Sequence, residues 1–359
     1  MALATSQGRY LFNRSWSLTI GVPGQQGLVY SSSDQALGVV NKNNMQTTGP
    51  VADVPPSGAR IVFDIDKVSS GTANKAKFEI YNQSKESRRA LTQVSPSLVQ
   101  VKFRAGYTGL PGSTPLVQTI FIGNISTIAN AITFERRESD IVTKIECGEA
   151  EVPITFAVFN QSFPAGTSLL SIILSLANAL VKASSGDIQI GTISGVPSRT
   201  SNKGEVCDGS IFNSLNKYTT PFGLQWNVTN GVLNINPISQ PVNTQAILLS
   251  NQNGVSISGQ TLGYTGLIGV PSVITMQPPD PPVGPLYNCN FVSLLNPYII
   301  PQSYVQIFSE MINGSTFCVR RAHFEGDTHG EKWQVAGEGI QVEALTPVIG
   351  NQSIGSTIA

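Results

Sequence analysis

The side chains equipped for chemistry gather in two short stretches of this 359-residue chain. The only histidines, His323 and His329, stand among Glu325, Asp327 and Glu331. That set holds metal ligands as well as a general acid and base. A metal centre needs ligands that converge from fixed elements. Here all the candidates crowd one end of a hairpin, and the intervening Gly326 and Gly330 suit a turn. A solvated turn accounts for the stretch without metal or catalysis. The second stretch carries Asp64 and Asp66. Two apart in a strand, they share a face and could divide acid and base roles. Lys67, Lys75 and Lys77 lie close by, so a charged hairpin end accounts for the pair. Thr72 and Asn74 offer ordinary turn chemistry. The sequence contains no GxSxG, HExxH or P-loop pattern. No catalytic, cofactor-binding or metal-binding residue is assigned, and neither a cofactor nor an enzymatic activity is expected.

The elements that hold these residues are strands. Ile61, Phe63 and Ile65 alternate with Val62, Asp64 and Asp66, and Lys77 to Tyr81 resumes a period of two. Two such runs around the polar tract Ser69 to Asn74 predict a β-hairpin over Ala59–Gln83. Residues 9–21, Val99–Phe103, Thr119–Ile122, Asn124–Ile128, Ala131–Arg136 and Asp140–Cys147 read as further short strands. Gly123 reads as a break between two of them. Ser84 to Val94 reads as a short helix. Such close spacing favours a barrel or sandwich. After Pro164-Ala165-Gly166 the period changes to three and four. Thr167 can cap a helix carrying Leu170, Ile173, Leu174, Ala177, Leu180 and Val181. A strand at Ile188–Gly191 and a helical turn at Ser210–Leu215 follow. Asn230-Gly231 then predicts a tight hairpin. Pro278 to Pro282 reads as an ordered break. Beyond it, Asn290–Leu295, Tyr304–Phe308, Ser315–Phe324 and Lys332–Val342 read as strands.

Composition narrows the class. Apolar residues make up 40% and charged residues only 12%, about half the usual share. The 22 basic and 22 acidic residues balance, giving no electrostatic reason for nucleic-acid affinity. Between Lys217 and Arg320 there is no Lys or Arg, and the only acids are Asp280 and Glu310. Soluble surfaces carry interspersed charge, so this segment is either merely polar or covered by other subunits. Cys147, Cys207, Cys289 and Cys318 have long, irregular spacings, which suit reduced core or edge residues. No secretory signal stands at the N-terminus, and the longest apolar run, Leu169 to Val181, is too short to span a bilayer. A soluble, intracellularly made protein is expected.

Taken in order, the motifs resemble a known family. They are IVFDIDK at 61–67, FEIYNQS at 78–84, VQVKFRAGYTG at 99–109, TIFIGNI at 119–125 and ERRESDIVTKIECGE at 135–149. GYTGLIGVP at 263–271, SLLNPYIIPQSYVQI at 293–307 and RRAHFEGDTHGEKW at 320–333 complete the series. The series is similar to the baseplate or tail-tip hub proteins of long-tailed bacteriophages, which are akin to the base of type VI secretion spikes. Pro301-Gln302-Ser303 departs from a family pattern that often has Gly there. Asn82-Gln83-Ser84 is a smaller departure.

The resemblance implies a mainly β fold with two tail-tube-like β-barrel domains and a small α+β insert. The first barrel would span 1–160, the insert 161–240, the second barrel 241–345 and an extended C-terminal arm 346–359. It implies a homotrimer forming a pseudo-sixfold ring in the virion tail baseplate, assembled in the bacterial host cytoplasm. The ring would join the tail tube, or a distal tube-adaptor protein, to a central spike protein. Tape measure and baseplate wedge proteins are further partners it admits. DNA would pass through the lumen without specific binding. The Ser69–Asn74 connection would reach toward an adjoining ring. The alternatives are a tail-associated peptidoglycan hydrolase, for which residues 161–260 offer no acidic pair or His/Asp/Cys cluster, and a receptor-binding tail protein, for which no repeat is found.

Overall fold

The computed structural model describes residues 14–25, 27–32, 39–40, 47–48, 59–108, 116–127, 131–184, 186–238, 246–252, 255–257, 260–262, 264–276 and 286–342. The N-terminal half supplies β1 (Arg14–Gly21), β2 (Leu28–Ser31), β3 (Val39–Val40), β4 (Thr47–Thr48), β5 (Ile61–Val68), β6 (Lys75–Tyr81), β7 (Gln100–Tyr107), β8 (Leu116–Ile125), β9 (Ile132–Arg137) and β10 (Asp140–Gly148). The middle supplies β11 (Val158–Phe163), β12 (Gln189–Ile193), β13 (Glu205–Ser210), β14 (Leu224–Thr229) and β15 (Val232–Pro237). The remainder supplies β16 (Ala246–Ser250), β17 (Val255–Ile257), β18 (Gln260–Leu262), β19 (Leu267–Met276), β20 (Leu286–Leu294), β21 (Tyr304–Phe308), β22 (Asn313–Asp327) and β23 (Trp333–Gln341).

The chain is mainly β. Its principal sheet runs β19-β20-β23-β22-β5-β6-β10-β8-β7-β1-β2, with β9 on β10 and the β16–β21 pair on β22. Strands expected for the first and second barrels thus belong to one hydrogen-bonded sheet, because β5 pairs antiparallel with β22. One apolar core underlies both sets. Phe63 packs at 4.6 Å against Phe103 with the rings tilted and meets Trp333 edge-on at 5.2 Å, while Phe78 bridges Phe103 and Phe121. Phe63 therefore ties the hairpin β22–β23 to strands that precede it by more than two hundred residues.

The hairpin β5–β6 forms as the alternation predicts, with Ile61, Phe63, Ile65, Phe78 and Ile80 buried. Several expectations are revised. Gly123 does not break a strand: β8 runs through it. Gly326 lies in β22 instead of the turn, where a Cβ would strike the Phe63 ring. Ser168, not Thr167, caps the helix Leu169–Ala183, its hydroxyl accepting from the Ser171 N–H at 3.1 Å. The helical turn at Ser210 extends to a helix over Ile211–Thr219. Gln302, within the departing Pro301-Gln302-Ser303 segment, holds φ at +68° and is buried. It bears the strain that glycine would avoid. All four cysteines are free and buried. Residues 9–13, the Pro55–Gly58 and Pro278–Pro282 turns and the arm 346–359 lie outside the described residues.

The insert has its own core. The helix Leu169–Ala183 buries Leu169, Ile172, Ile173, Leu176, Ala177 and Leu180 against Leu215, Trp226, Leu233 and Ile235. Its sheet is β12-β15-β14, and Asn230-Gly231 makes the β14–β15 turn with φ of +53° and +78°. This turn plugs into the principal sheet through buried polar contacts. Lys67 is fully buried, which overturns its reading as part of a charged hairpin end. Its Nζ donates to Asn230 Oδ1 at 2.7 Å and stands 3.4 Å from Glu149 Oε2. Burial pushes the Lys67 ammonium pKa down, and Glu149 opposes that shift. Asn74, also buried, donates to Glu149 Oε2 at 2.7 Å and to the Val228 carbonyl at 2.9 Å. The Ser69–Asn74 connection accordingly rests on this chain's own insert, and a Cβ on Gly71 would lie 2.3 Å from the Trp226 indole.

Because Phe63 joins strands from both ends of the chain, Phe63→Ala should cost about 3–5 kcal/mol. Hydrogen exchange in rising urea should show β7 and β23 losing protection together and earlier than in the native chain. If either strand kept its native midpoint, the shared core would be refuted.

Candidate functional site: a charge-laddered sheet face and an open apolar edge

Every second residue of β6, β5, β22 and β23 points away from the core, and there the sequence-flagged residues meet. Asp66 accepts two hydrogen bonds from the Arg321 guanidinium, at 2.8 and 3.0 Å. Arg321 also reaches Glu338 at 3.6 Å. Asp64, opposite Lys77 in register, lies 3.7 Å from His323 Nδ1. On the other flank Arg137 pairs with Glu79 at 2.9 Å and Lys144 with Glu135 at 2.8 Å. Lys77 meets Glu146 at 3.2 Å. Opposite charges thus face one another across consecutive strands, the arrangement that stabilises a sheet.

Asp64 and Asp66 do share a face, but Asp66 is held by Arg321 while Asp64 lies beside His323 and opposite Lys77 in register, and no acid–base pair forms between them. Glu325 binds Lys332 at 3.0 Å and also accepts from Gln334. Asp327 accepts from Arg60 at 2.7 Å and from the His329 N–H at 3.0 Å. Burial alone would raise the Asp327 pKa; Arg60 and the His329 and Gly330 N–H groups outweigh it and hold it low. Burial likewise works against Glu325, whose pKa is held low by Lys332 and Gln334. His329 Nδ1 contacts the Thr328 hydroxyl at 3.0 Å. His323 and His329 therefore belong to different local networks. Among the described residues no three His, Cys, Asp or Glu side chains group as metal ligands. Arg60, Arg321, Glu338 and Arg137 are the partners that sequence reasoning did not single out. Only strand alternation could have flagged them, since each bond joins distant segments.

The face changes character toward β19. A groove of about 530 Å³ runs between the apolar wall of Ile268 and Val270 and the polar wall of Arg321, His323 and Glu338. β19 is the last strand of the path, with no partner on its outer edge among the described residues. Val270 is 57% and Ile274 55% exposed, with Ile268 and Val273 exposed beside them.

No family model and no curated relative matches the sequence. Solved structures do match. The tail protein from Neisseria meningitidis MC58 aligns with a TM-score of 0.54 at 9% identity, over 92% of this chain and 98% of that one. The prophage MuSo2 43 kDa tail protein from Shewanella oneidensis aligns with a TM-score of 0.51 at 10% identity, over 90% and 98%. The chain has the fold of phage tail proteins. Nearly the whole length of both relatives is matched, so the insert and both sets of strands share in the likeness.

Two tests follow from this face. Asp66→Asn should cost only about 0–1 kcal/mol, because the pair with Arg321 is exposed. Asp66→Lys should cost clearly more, since it sets a third cation beside Lys75 and Arg321; thermal melts of the two variants should separate. Equal melts would show that the ladder contributes nothing. The second concerns acid. Asp327 and Glu325 have folded pKa values below their unfolded ones. Their contribution is therefore present above about pH 4 and lost as the pH falls through the folded values. Urea titrations across that range should show a steeper acid loss in the native chain than in Asp327→Asn/Glu325→Gln.

Proposed function

We propose that the chain is a non-enzymatic hub of a phage tail tip, three copies forming a pseudo-sixfold ring between a sixfold tube and a threefold spike. The observation that carries this reading is the fold, shared along almost the full length of two phage tail proteins. The charge ladder is in keeping with a channel that conducts DNA without holding it. Lys77, Arg137, Lys144 and Arg321 on that face each pair with a carboxylate, which weakens the positive field they would offer to phosphates.

The β19 edge supports subunit contact. An exposed apolar edge strand is an aggregation hazard unless a partner covers it. It also lies within the stretch from Lys217 to Arg320 that is nearly free of charge. A ring in which this edge meets the next subunit leaves neither feature unexplained. The tube, adaptor, spike, tape measure and wedge proteins remain the partners of this reading, in a virion tail assembled in the host cytoplasm.

Counting hub copies by mass measurement of isolated tail tips should give three, and any other number overturns the ring. Val270→Lys/Ile274→Lys should leave the circular dichroism of the subunit unchanged while abolishing its trimer in light scattering. A turbidity assay on cell walls should show no lysis; lysis would favour the hydrolase.

A further inference from the structure

The insert and the principal sheet bury separate apolar clusters, and where they meet the buried contacts named above are mostly polar. Asn230 sits at the centre. Its Oδ1 accepts from Lys67, and its Nδ2 donates to the Thr119 carbonyl at 3.1 Å. Glu149 Oε1 accepts from the Gly231 N–H at 3.1 Å, while its other oxygen faces Lys67 and Asn74. The relative exposures of Lys67, Asn74 and Glu149 are 0%, 1% and 1%. One more polar contact, Gln100 to Asp187 at 2.9 Å, ties the start of β7 to the insert.

A cluster of this kind has one satisfactory geometry. If the insert tilted slightly, an ammonium or a carboxylate would be left buried and unpaired, which is strongly unfavourable. If it moved far enough for water to enter, the same groups would be solvated and the penalty relieved. Intermediate positions are the costly ones. The chain leaves the sheet for the insert at the residue after Glu149. There Ala150 holds φ at +53°, in the left-handed region that a non-glycine residue adopts only under constraint. Pinning Glu149 supplies that constraint, and releasing it lets Ala150 relax.

We infer that Lys67, Asn74, Glu149 and the Asn230-Gly231 turn form a two-state clasp that locks the insert on the sheet, with Ala150 as the hinge on which the insert swings when the clasp opens. The clasp is independent of whether the chain forms a hub ring.

Hydrogen exchange on the full chain tests it. In Lys67→Met, which keeps the length of the side chain and removes its charge, exchange at Gly231 and at Ser69–Asn74 should rise at least tenfold. Protection should persist within the helix Leu169–Ala183 and within β5, β6 and β22. Small-angle scattering should then show a larger radius. If Lys67→Met does not fold, Asn230→Gly decides. It keeps the positive φ and deletes the bonds to Lys67 and Thr119, and the same local rise is expected. Unchanged exchange at the turn in the variant that folds overturns the clasp. So does a rise spread equally through the insert and the sheet, which would make them one cooperative unit. Ala150→Gly, which removes the positive-φ strain from the closed state, should raise protection at Gly231 and Ser69–Asn74; unchanged or lower protection there would take the hinge from Ala150.

Discussion

Seven residue pairs, from Val68–Arg321 to Val62–Asp327, join strands more than two hundred and fifty residues apart in the chain. β5 is bonded on both edges, to β6 and to β22, and its two faces carry opposite demands. Inward go Ile61, Phe63, Ile65 and Lys67; outward go Asp64 and Asp66. Because side chains alternate with a period of two, a slip of one residue would exchange the rows. Two carboxylates would enter the aromatic core, and three large apolar side chains would face water. Neither could be compensated locally. The same slip would withdraw Lys67 from Glu149 and Asn230, so the register of one strand fixes the core, the outer ion pairs and the seat of the insert together.

The outer ion pairs do little for stability one at a time. An exposed pair such as Asp66–Arg321 contributes about 0–1 kcal/mol. Their value lies in register and in field. Opposite charges across strands favour the observed pairing over a shifted one, in which like charges would be opposed. A face whose charges cancel at short range also projects little potential beyond a Debye length. Neutrality of the whole chain, 22 basic against 22 acidic residues, is thus reproduced locally on the sheet.

Much of the local architecture was legible. The hairpin β5–β6 follows from alternation, and the β14–β15 hairpin from Asn230-Gly231, because both signals are contained in a few residues. The β5–β22 pairing was not legible, since nothing local to Ile61–Val68 specifies a partner at Asn313–Asp327. Lys67 is the instructive case. The alternation that placed Ile61, Phe63 and Ile65 inward also places Lys67 inward, yet a lysine is so rarely buried that its charge outweighed its position. The misreading of Gly123 has a similar origin. Glycine marks breaks, but also places where another backbone comes close, and the Gly148 carbonyl lies 2.5 Å from where a Cβ on Gly123 would be. At the candidate site, Asp64, Asp66 and the histidines were found as candidates, whereas their cationic partners depend on long-range pairing.

The molecule uses two unlike surfaces for two unlike tasks. Between insert and sheet the key contacts are buried and charged. Breaking such a pair costs about 3–5 kcal/mol, although apolar residues of the same volume could hold the parts together at least as firmly. Stability alone therefore does not call for Lys67 and Glu149, but a fixed orientation does, because only directional contacts penalise small rotations. At β19 the situation is reversed. Ile268, Val270, Val273 and Ile274 offer non-directional apolar area on the strand that ends the sheet path among the described residues. There direction comes from the strand itself, through the hydrogen bonds a partner strand would make. The chain thus orients its insert through buried polar contacts and carries exposed apolar area on its end strand.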